Sequence, residues 1–282
     1  MWNLTLSEIV LVIVALLGVL VAYLVYAWES RRESKRDLPL LDPGLGGVVQ
    51  YVAGAVAFLL GLMLLFSVQH FSQAEDAATT EAVAYSAAFD ISTVLPTAPS
   101  TKVQRDLVCL MRSTVSGSWK SASNLDLTGD ENTEAWYRRT LDAVDAAVVT
   151  GDNDKIALSK LSDELSNSAQ HRQTRLLLAE GDLPLVIWIV IFLSIFALCF
   201  LVALSLITHP LFMWVSIGST VVLTGGIIAA LVMFAQPFSE PGVTVQPSSL
   251  SGVLTRLEHV YPQPSLWEPC PTLAQYVDMS AS

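Results

Sequence analysis

The sequence predicts an all-α integral membrane protein with four transmembrane helices and a polar helical domain built on extensions of helices 2 and 3. Of its 282 residues, 52% are hydrophobic and only 15% are charged, whereas soluble proteins carry about 25% charged residues. Four apolar stretches reach the roughly 20 residues that a helix needs to cross a bilayer. One long polar stretch separates the second of them from the third.

Capping or helix-breaking residues bound the four predicted spans. Thr5 and Glu8 form an S/T-x-x-E capping box before the first span, and the segment "LDPGLGG" precedes the second. Only Thr208, His209 and Pro210 separate the third span from the fourth, which predicts a tight antiparallel hairpin. In chain order, the spans are Ile9–Trp28, Val48–Val68, Leu183–Ile207 and Leu211–Phe234.

The spans divide the chain into five segments, and basic residues predict their orientation. In chain order, the segments are 1–37 (first span and basic loop), 38–68 (second span), 69–182 (polar domain), 183–235 (the hairpin) and 236–282 (a Pro-rich tail). Lys and Arg concentrate in short cytoplasmic loops, and the first loop carries Arg31, Arg32, Lys35 and Arg36. We therefore expect this loop in the cytoplasm, with both termini and the polar domain on the outer side of the membrane. Arg172 and Arg175, shortly before the third span, argue for the opposite orientation.

The polar domain has 17 acidic and 10 basic residues, and helical periodicity predicts a bundle within it. The apolar stripes are Val103, Leu107, Leu110 and Met111; Trp136, Leu141, Val144 and Val148; and Ile156, Leu161 and Leu165. If spans two and three are antiparallel neighbours, their extensions bring Glu81 and Asp76 near Arg172 and Arg175, which predicts stalk salt bridges. A metal or ligand site of His70, Glu75, Glu81 and His171 is the weaker alternative, because these positions lack a ligand spacing.

Cys109 in the polar domain and Cys270 in the tail lie on the same side of the membrane in this topology. Disulfides persist on the oxidising side, so the two sulfurs either form a bond that holds the tail on the domain or remain two buried thiols. Cys199 lies inside the third span and is expected to serve packing alone.

Small residues recur every four or seven positions along the second and fourth spans, at Ala53, Ala57 and Gly61 and at Gly218, Gly225 and Ala229. Such stripes let membrane helices approach closely. They predict either packing within one chain or contacts with other membrane subunits or a second copy, all of them surrounded by membrane lipids.

The chemistry that is missing restricts the function. No span interior holds an Asp, Glu, Lys or Arg, which argues against a pump or a proton-coupled transporter. No catalytic, metal-binding or cofactor-binding motif is present, so we expect no catalytic residue, metal or cofactor. The net charge of −11 argues against a nucleic-acid partner.

Several short motifs between about Gly47 and Pro247 carry a resemblance. They are Gly54, Glu81-Ala82, Arg172-x-x-Arg175-Leu176, Leu183-Pro184 with Trp188, Pro237-Phe238, and Val243-x-Val245-x-Pro247. With them the chain resembles a bacterial membrane family, common in actinobacteria, long catalogued as a domain of unknown function and also labelled bestrophin-like. It departs from that family at Gln236, where an acidic residue is usual, and at Gly242, which is displaced. The resemblance implies similarity to bestrophins, pentameric anion channels with four spans per subunit and a cytoplasmic segment between spans two and three.

Three functions compete. The first is a non-catalytic structural or accessory subunit of a larger membrane or respiratory assembly, which we expect from the missing chemistry and the small-residue stripes. The alternative is a bestrophin-like oligomeric anion channel with a pore formed by span two, where Phe58, Leu62, Leu65 and Phe66 would form the constriction. An enzyme is the third, and it lacks any convergent polar site.

Overall fold

A computed structural model gives the fold and describes residues 44–124, 130–179, 185–205, 210–238 and 244–271, together with Gly18, Leu20, Tyr23 and Ala27. The described residues are helical, with no strand among them. The chain separates into two compact units, residues 1–70 with 182–235 and residues 71–181 with 236–282. Apart from the four isolated residues, the predicted span Ile9–Trp28 lies outside the described residues, as does the basic loop of Arg31, Arg32, Lys35 and Arg36.

The helices are numbered here in chain order over the described residues. They are α1 (Gly44–Ser92), α2 (Thr97–Ser113), α3 (Trp119–Ser123), α4 (Glu131–Asp145), α5 (Asp152–Ala179), α6 (Leu185–Ser205), α7 (Pro210–Ala235), α8 (Ser248–Val260) and α9 (Pro264–Trp267). A π-helical turn, Thr114–Ser118, joins α2 to α3 without a break. By length and composition, Gly46–Ser92, Val186–Ser205 and Leu211–Ala235 can each cross a membrane.

The apolar unit packs α1, α6 and α7 around a core of aliphatic side chains. Val56 and Leu60 of α1 meet Ile191 and Ile195 of α6 and Ile228 of α7. Gly18 lies against α7, because a Cβ added to it would lie 2.5 Å from Cγ2 of Val221. A larger residue at position 18 would therefore require the Val221 side chain to move.

The polar unit is a helical bundle whose core follows most of the predicted stripes. Val103, Leu107, Leu110 and Met111 of α2 are fully buried, as are Leu161 and Leu165 of α5. The unit also contains the part of α1 that continues beyond Val68.

Two positions of the predicted stripes are wrong, since Val148 and Ile156 are exposed. Val148 lies past the end of α4 at Asp145, and Ile156 lies near the start of α5, where its neighbour Ala157 is the residue that packs in the core. The sequence reasoning also missed α8 in the Pro-rich tail. Leu250 and Leu257 of that helix are buried in the polar unit's core.

Candidate functional site

The membrane part of α1 has one packed face and one open face. Val56 and Leu60 are buried against α6 and α7. Val52, Ala53 and Met63, on the same side of α1, pack against the same core. Phe58 is 69% exposed on the other side of the helix, and Leu65 and Phe66 are about half exposed, while Leu62 is half-buried. Three of the four predicted constriction residues are therefore exposed, outside the core that Val56 and Leu60 form with α6 and α7.

The small residues of α1 and α7 mostly lie on open surfaces as well. Ala53 packs against the apolar core, but Ala57 and Gly61 are exposed, and a Cβ added to Gly61 would meet nothing within 4 Å. On α7, Gly218 is exposed with the same free space, while Gly225 is buried and Ala229 is half-buried. Intra-chain packing thus accounts for only part of each stripe.

A buried ion pair lies in the middle of the polar unit. Arg175 of α5 donates from Nε to Oε2 of Glu81 on α1 at 2.7 Å, and the exposed fractions of the two side chains are 0% and 1%. The guanidinium also donates to Oγ of Ser118 at 3.0 Å and lies 4.0 Å above the Trp119 ring. Four helical segments are thereby tied to one cation.

The π-helical turn positions the partners of Arg175. A π turn widens the helix locally, and here it ends at Ser118, directly before Trp119. Both of these residues contact the guanidinium. Trp119 is itself oriented by the hydrogen bond from its Nε1 to the carbonyl oxygen of Val245 at 3.0 Å. The same turn brings Gly117 directly onto the carboxylate of Asp130.

The other predicted stalk residues have different partners. Arg172 pairs with Glu134 of α4 at 2.9 Å and lies over the Tyr137 ring, because it lies one turn before Arg175 and faces α4. Asp76 is exposed and forms no ion pair with another described residue; its carbonyl oxygen accepts from Thr80. Within the described residues, no group of three or more His, Cys, Asp or Glu is placed to hold a metal ion.

Tyr85 lies one turn beyond Glu81 on α1 and is fully buried. Burial and the neighbouring Glu81 carboxylate raise the pKa of Tyr85 to about 12. Asp106 of α2 is buried too, and burial raises the pKa of its carboxyl although Arg139 donates to it at 2.9 Å. The interior of the polar unit therefore disfavours negative charge at both positions.

A disulfide between Cys109 and Cys270 joins the tail to α2. The segment that carries Cys270, residues 261–271, is called the strap below. Arg105 and Arg112, on the same face of α2 as Cys109, hold it through its backbone. Their five hydrogen bonds, of 2.7 to 3.2 Å, reach the carbonyl oxygens of Leu266, Trp267, Glu268 and Pro269.

Aromatic side chains of the tail cover the polar unit. Tyr261 lies 5.2 Å from Phe89 between ring centroids, and Trp267 donates from Nε1 to the carbonyl oxygen of Tyr261 at 2.8 Å. The sequence reasoning did not anticipate Arg105 and Arg112. Their spacing of four and three residues around Cys109 was the available signal, since it places all three on one helix face.

Comparison with known proteins gives a family. The model of the Bestrophin-like domain matches residues 9–250. The chain belongs to the bestrophin-like family. No curated protein matches it significantly.

The bestrophin-like fold extends over nearly the whole chain. Three solved variants of a bacterial bestrophin homologue from Klebsiella pneumoniae share its fold, with TM-scores of 0.64, 0.65 and 0.64. Their sequences are 13, 15 and 14% identical to this one. The matched regions cover 90, 90 and 93% of this chain and 99, 99 and 100% of the three solved chains.

Bestrophin-like membership corrects one functional prediction. The accessory subunit of a larger membrane or respiratory assembly is wrong, and the family match favours the channel alternative instead. The prediction was based on the stripes of small residues and on the absence of catalytic motifs and of ionisable residues within the spans. Both features are equally typical of a subunit of an oligomeric channel. A non-enzymatic protein fits the family.

Proposed function

We propose that this bestrophin-like chain is a subunit of a homo-oligomeric ion channel whose pore is lined by the open face of α1. The family match over residues 9–250 carries the proposal. The open face of α1 supports it, because large apolar side chains that turn away from their own subunit need lipid or a neighbouring subunit around them.

The constriction in this proposal is formed by Phe58, Leu62, Leu65 and Phe66. They lie within about two helical turns, so that copies arranged around an axis would stack them as successive apolar rings. Apolar constrictions gate ion flow by dewetting, and they need no charged residue within the span. This accounts for the absence of ionisable side chains from the span.

Neighbouring subunits would meet along the exposed small residues Ala57, Gly61 and Gly218. Ala57 is exposed, and a Cβ added to Gly61 or Gly218 would meet no described atom within 4 Å. Small residues allow the backbones of two membrane helices to approach. The remaining surface of α6 and α7 would face membrane lipids.

The topology in this proposal has four spans, Ile9–Trp28 among them, in the plasma membrane of a bacterium. The basic loop lies in the cytoplasm, and both termini and residues 69–182 lie outside. The disulfide supports an even number of crossings between its two cysteines, because α6 and α7 lie between them and two crossings return the chain to its starting side. It also supports the oxidising side for the polar unit.

Reconstitution tests the channel. The purified protein is sized in mild detergent and then placed in planar bilayers under a KCl gradient. We expect one homo-oligomeric species and an ion current, with a larger conductance in Phe58→Ala and Leu65→Ala because smaller side chains weaken dewetting. Val222→Ala, an exposed apolar position on α7, serves as the matched control. A stable monomer without current would overturn the proposal.

The reversal potential in the same experiment assigns the sign of the permeant ion. Anion permeation is what the family resemblance implies. Two carboxylate residues of α1, Glu75 and Asp76, are exposed, and they would favour cations instead, because acidic rings are typical of cation channels.

Trypsin treatment of intact cells tests the orientation. Arg256 is the only Lys or Arg in residues 239–282, and its side chain is about half exposed. With the tail outside, we expect cleavage after Arg256 and, without reductant, a fragment that begins at Leu257 and stays linked to the rest of the chain through Cys109. Protection in whole cells and cleavage only after lysis would place the polar unit in the cytoplasm.

A further inference from the structure

The two sulfurs of the disulfide differ in their access to solvent. Cys109 is 1% exposed in the middle of α2, whereas Cys270 lies on the strap and keeps part of its surface exposed. In thiol–disulfide exchange the entering thiolate attacks one sulfur and the other leaves, and access helps to decide which is attacked. The geometry therefore favours attack at Cys270.

The leaving sulfur lies on the same face of α2 as two arginines. Arg105 and Arg112 precede and follow Cys109 by four and three residues, on one face of α2. Both guanidinium groups also donate to the carbonyl oxygen of Glu268, at 2.7 and 2.9 Å, two residues before Cys270. Neighbouring arginines stabilise a thiolate, and a thiol of lower pKa leaves faster.

We propose that Cys270 is a thiol–disulfide exchange site for a dithiol reductant and that Cys109 is the leaving thiolate. A thiolate of the dithiol attacks Sγ of Cys270, the Sγ–Sγ bond breaks, and its electron pair passes to Sγ of Cys109, which then takes a proton. The second thiol of the reductant, as its thiolate, attacks the mixed disulfide, so that the reductant becomes an intramolecular disulfide and Cys270 a thiolate. The two electrons come from the dithiol.

The strap stays docked after reduction, which makes the exchange reversible. All five hydrogen bonds from Arg105 and Arg112 end on backbone carbonyls, and none of them depends on the disulfide. Leu266 is fully buried in the core of the polar unit. The two thiols therefore remain next to each other and ready for reoxidation.

A monothiol pulse identifies the attacked sulfur without any use of channel activity. The oxidised full chain in mild detergent is exposed briefly to 2-mercaptoethanol, quenched with acid and analysed by peptide mass spectrometry. We expect the mixed disulfide on Cys270, with at least about tenfold less on Cys109, since the buried sulfur is shielded. An adduct mainly on Cys109, equal adducts, or adducts that form only in denaturant would overturn the proposal.

Charge-preserving and charge-removing variants test the role of the arginines. We expect Arg105→Gln and Arg112→Gln to slow reduction by dithiothreitol about three- to tenfold, because the leaving group's pKa rises. Arg105→Lys and Arg112→Lys should stay within about twofold of the native rate, since they keep the charge. Arg138→Gln, an exposed position on α4, is the control. Faster or unchanged reduction in the Gln variants would refute the proposed leaving group.

Discussion

At the scale of single residues, burial separates the one ion pair that matters most from the others. Glu81 and Arg175 have lost nearly all contact with water, and such a pair needs both its partners and further hydrogen bonds to offset desolvation. Arg138–Glu134 and Lys155–Asp152 are largely exposed, and exposed pairs contribute little. Loss of either partner, Glu81 or Arg175, should therefore destabilise the polar unit more than loss of an exposed pair.

Removal of Glu81 leaves an uncompensated charge in the interior. We expect Glu81→Ala to lower the free energy of unfolding by about 3–5 kcal/mol, measured by thermal or denaturant unfolding in mild detergent. Glu134→Ala removes the half-exposed partner of Arg172, and we expect less than about 1 kcal/mol from it. A similar loss of unfolding free energy in both variants would show that burial does not determine the contribution of these ion pairs to stability.

Tyr85 predicts a loss of stability in alkaline solution. Its pKa in the folded protein is raised to about 12, above the ordinary 10.0, so the folded state holds its proton where the unfolded state has lost it. The contribution of Tyr85 is complete below pH 10 and is lost as the pH rises to 12. We expect the native protein to lose about 2–3 kcal/mol over that window at this site. Tyr85→Phe should reduce the dependence of the free energy of unfolding on pH between pH 10 and 12. The same dependence in the variant and the native protein would contradict this.

At the scale of elements, the spacing of apolar residues predicted α2, whose apolar stripe is buried along its length. The same spacing was not recognised in α8, whose buried leucines lie in a tail rich in proline. Leu107 and Leu110 could be placed because α2 is amphipathic along its length. The helix α8 was missed because seven prolines after residue 236 suggested an irregular tail. Yet those prolines flank α8 rather than interrupt it. The spacing of Leu250 and Leu257 was a helical signal.

The candidate site was predictable only in part for the same reason. The antiparallel arrangement of α1 and α5 was enough to suggest a contact between Glu81 and Arg175. Ser118 and Trp119 complete that site, and their positions depend on the π turn. No residue pattern in "TVSGS" predicts such a turn. The open face of α1 could not be separated from its packed face either, because nearly every residue of that span is apolar.

Gly117 tests how tightly the π turn fits against α4. A Cβ at this position would overlap the carboxylate of Asp130, which caps α4 by accepting from the Thr133 N–H at 2.9 Å. We expect Gly117→Ala to cost at least about 1 kcal/mol through loss of this cap. Gly252→Ala, at an open position in α8, is the matched control and should stabilise by about 0.5–1 kcal/mol. Equal effects of the two substitutions would contradict the fit.

At the scale of the whole molecule, assembly of the proposed channel would depend on exposed small residues that make no close contact with the described part of their own chain. Gly61 has free space around it, so a larger side chain there leaves the single subunit intact. In the proposed channel the same side chain would separate two neighbouring helices. Fold and assembly can therefore be changed independently at this position.

Substitution of Gly61 measures that difference. We expect Gly61→Leu to reduce the oligomeric fraction about tenfold or more by the loss of close helix contact, with the thermal unfolding of the subunit unchanged. The measurement is size-exclusion chromatography with light scattering in mild detergent. Val222→Leu, exposed on α7, should leave the oligomer as it is. An intact oligomer in Gly61→Leu would move the interface elsewhere.

The cysteine pair also constrains the order of events during biosynthesis. The two residues are 161 positions apart, and α6 and α7 are synthesised after Cys109 and before Cys270. In the proposed topology, the covalent bond can close only when both helices have been inserted and the chain has returned to its starting side. A nascent chain whose synthesis has not passed α6 and α7 would keep Cys109 as a free thiol. The oxidation state of Cys109 in a pulse-labelled cell therefore distinguishes fully inserted molecules from those still at the translocon.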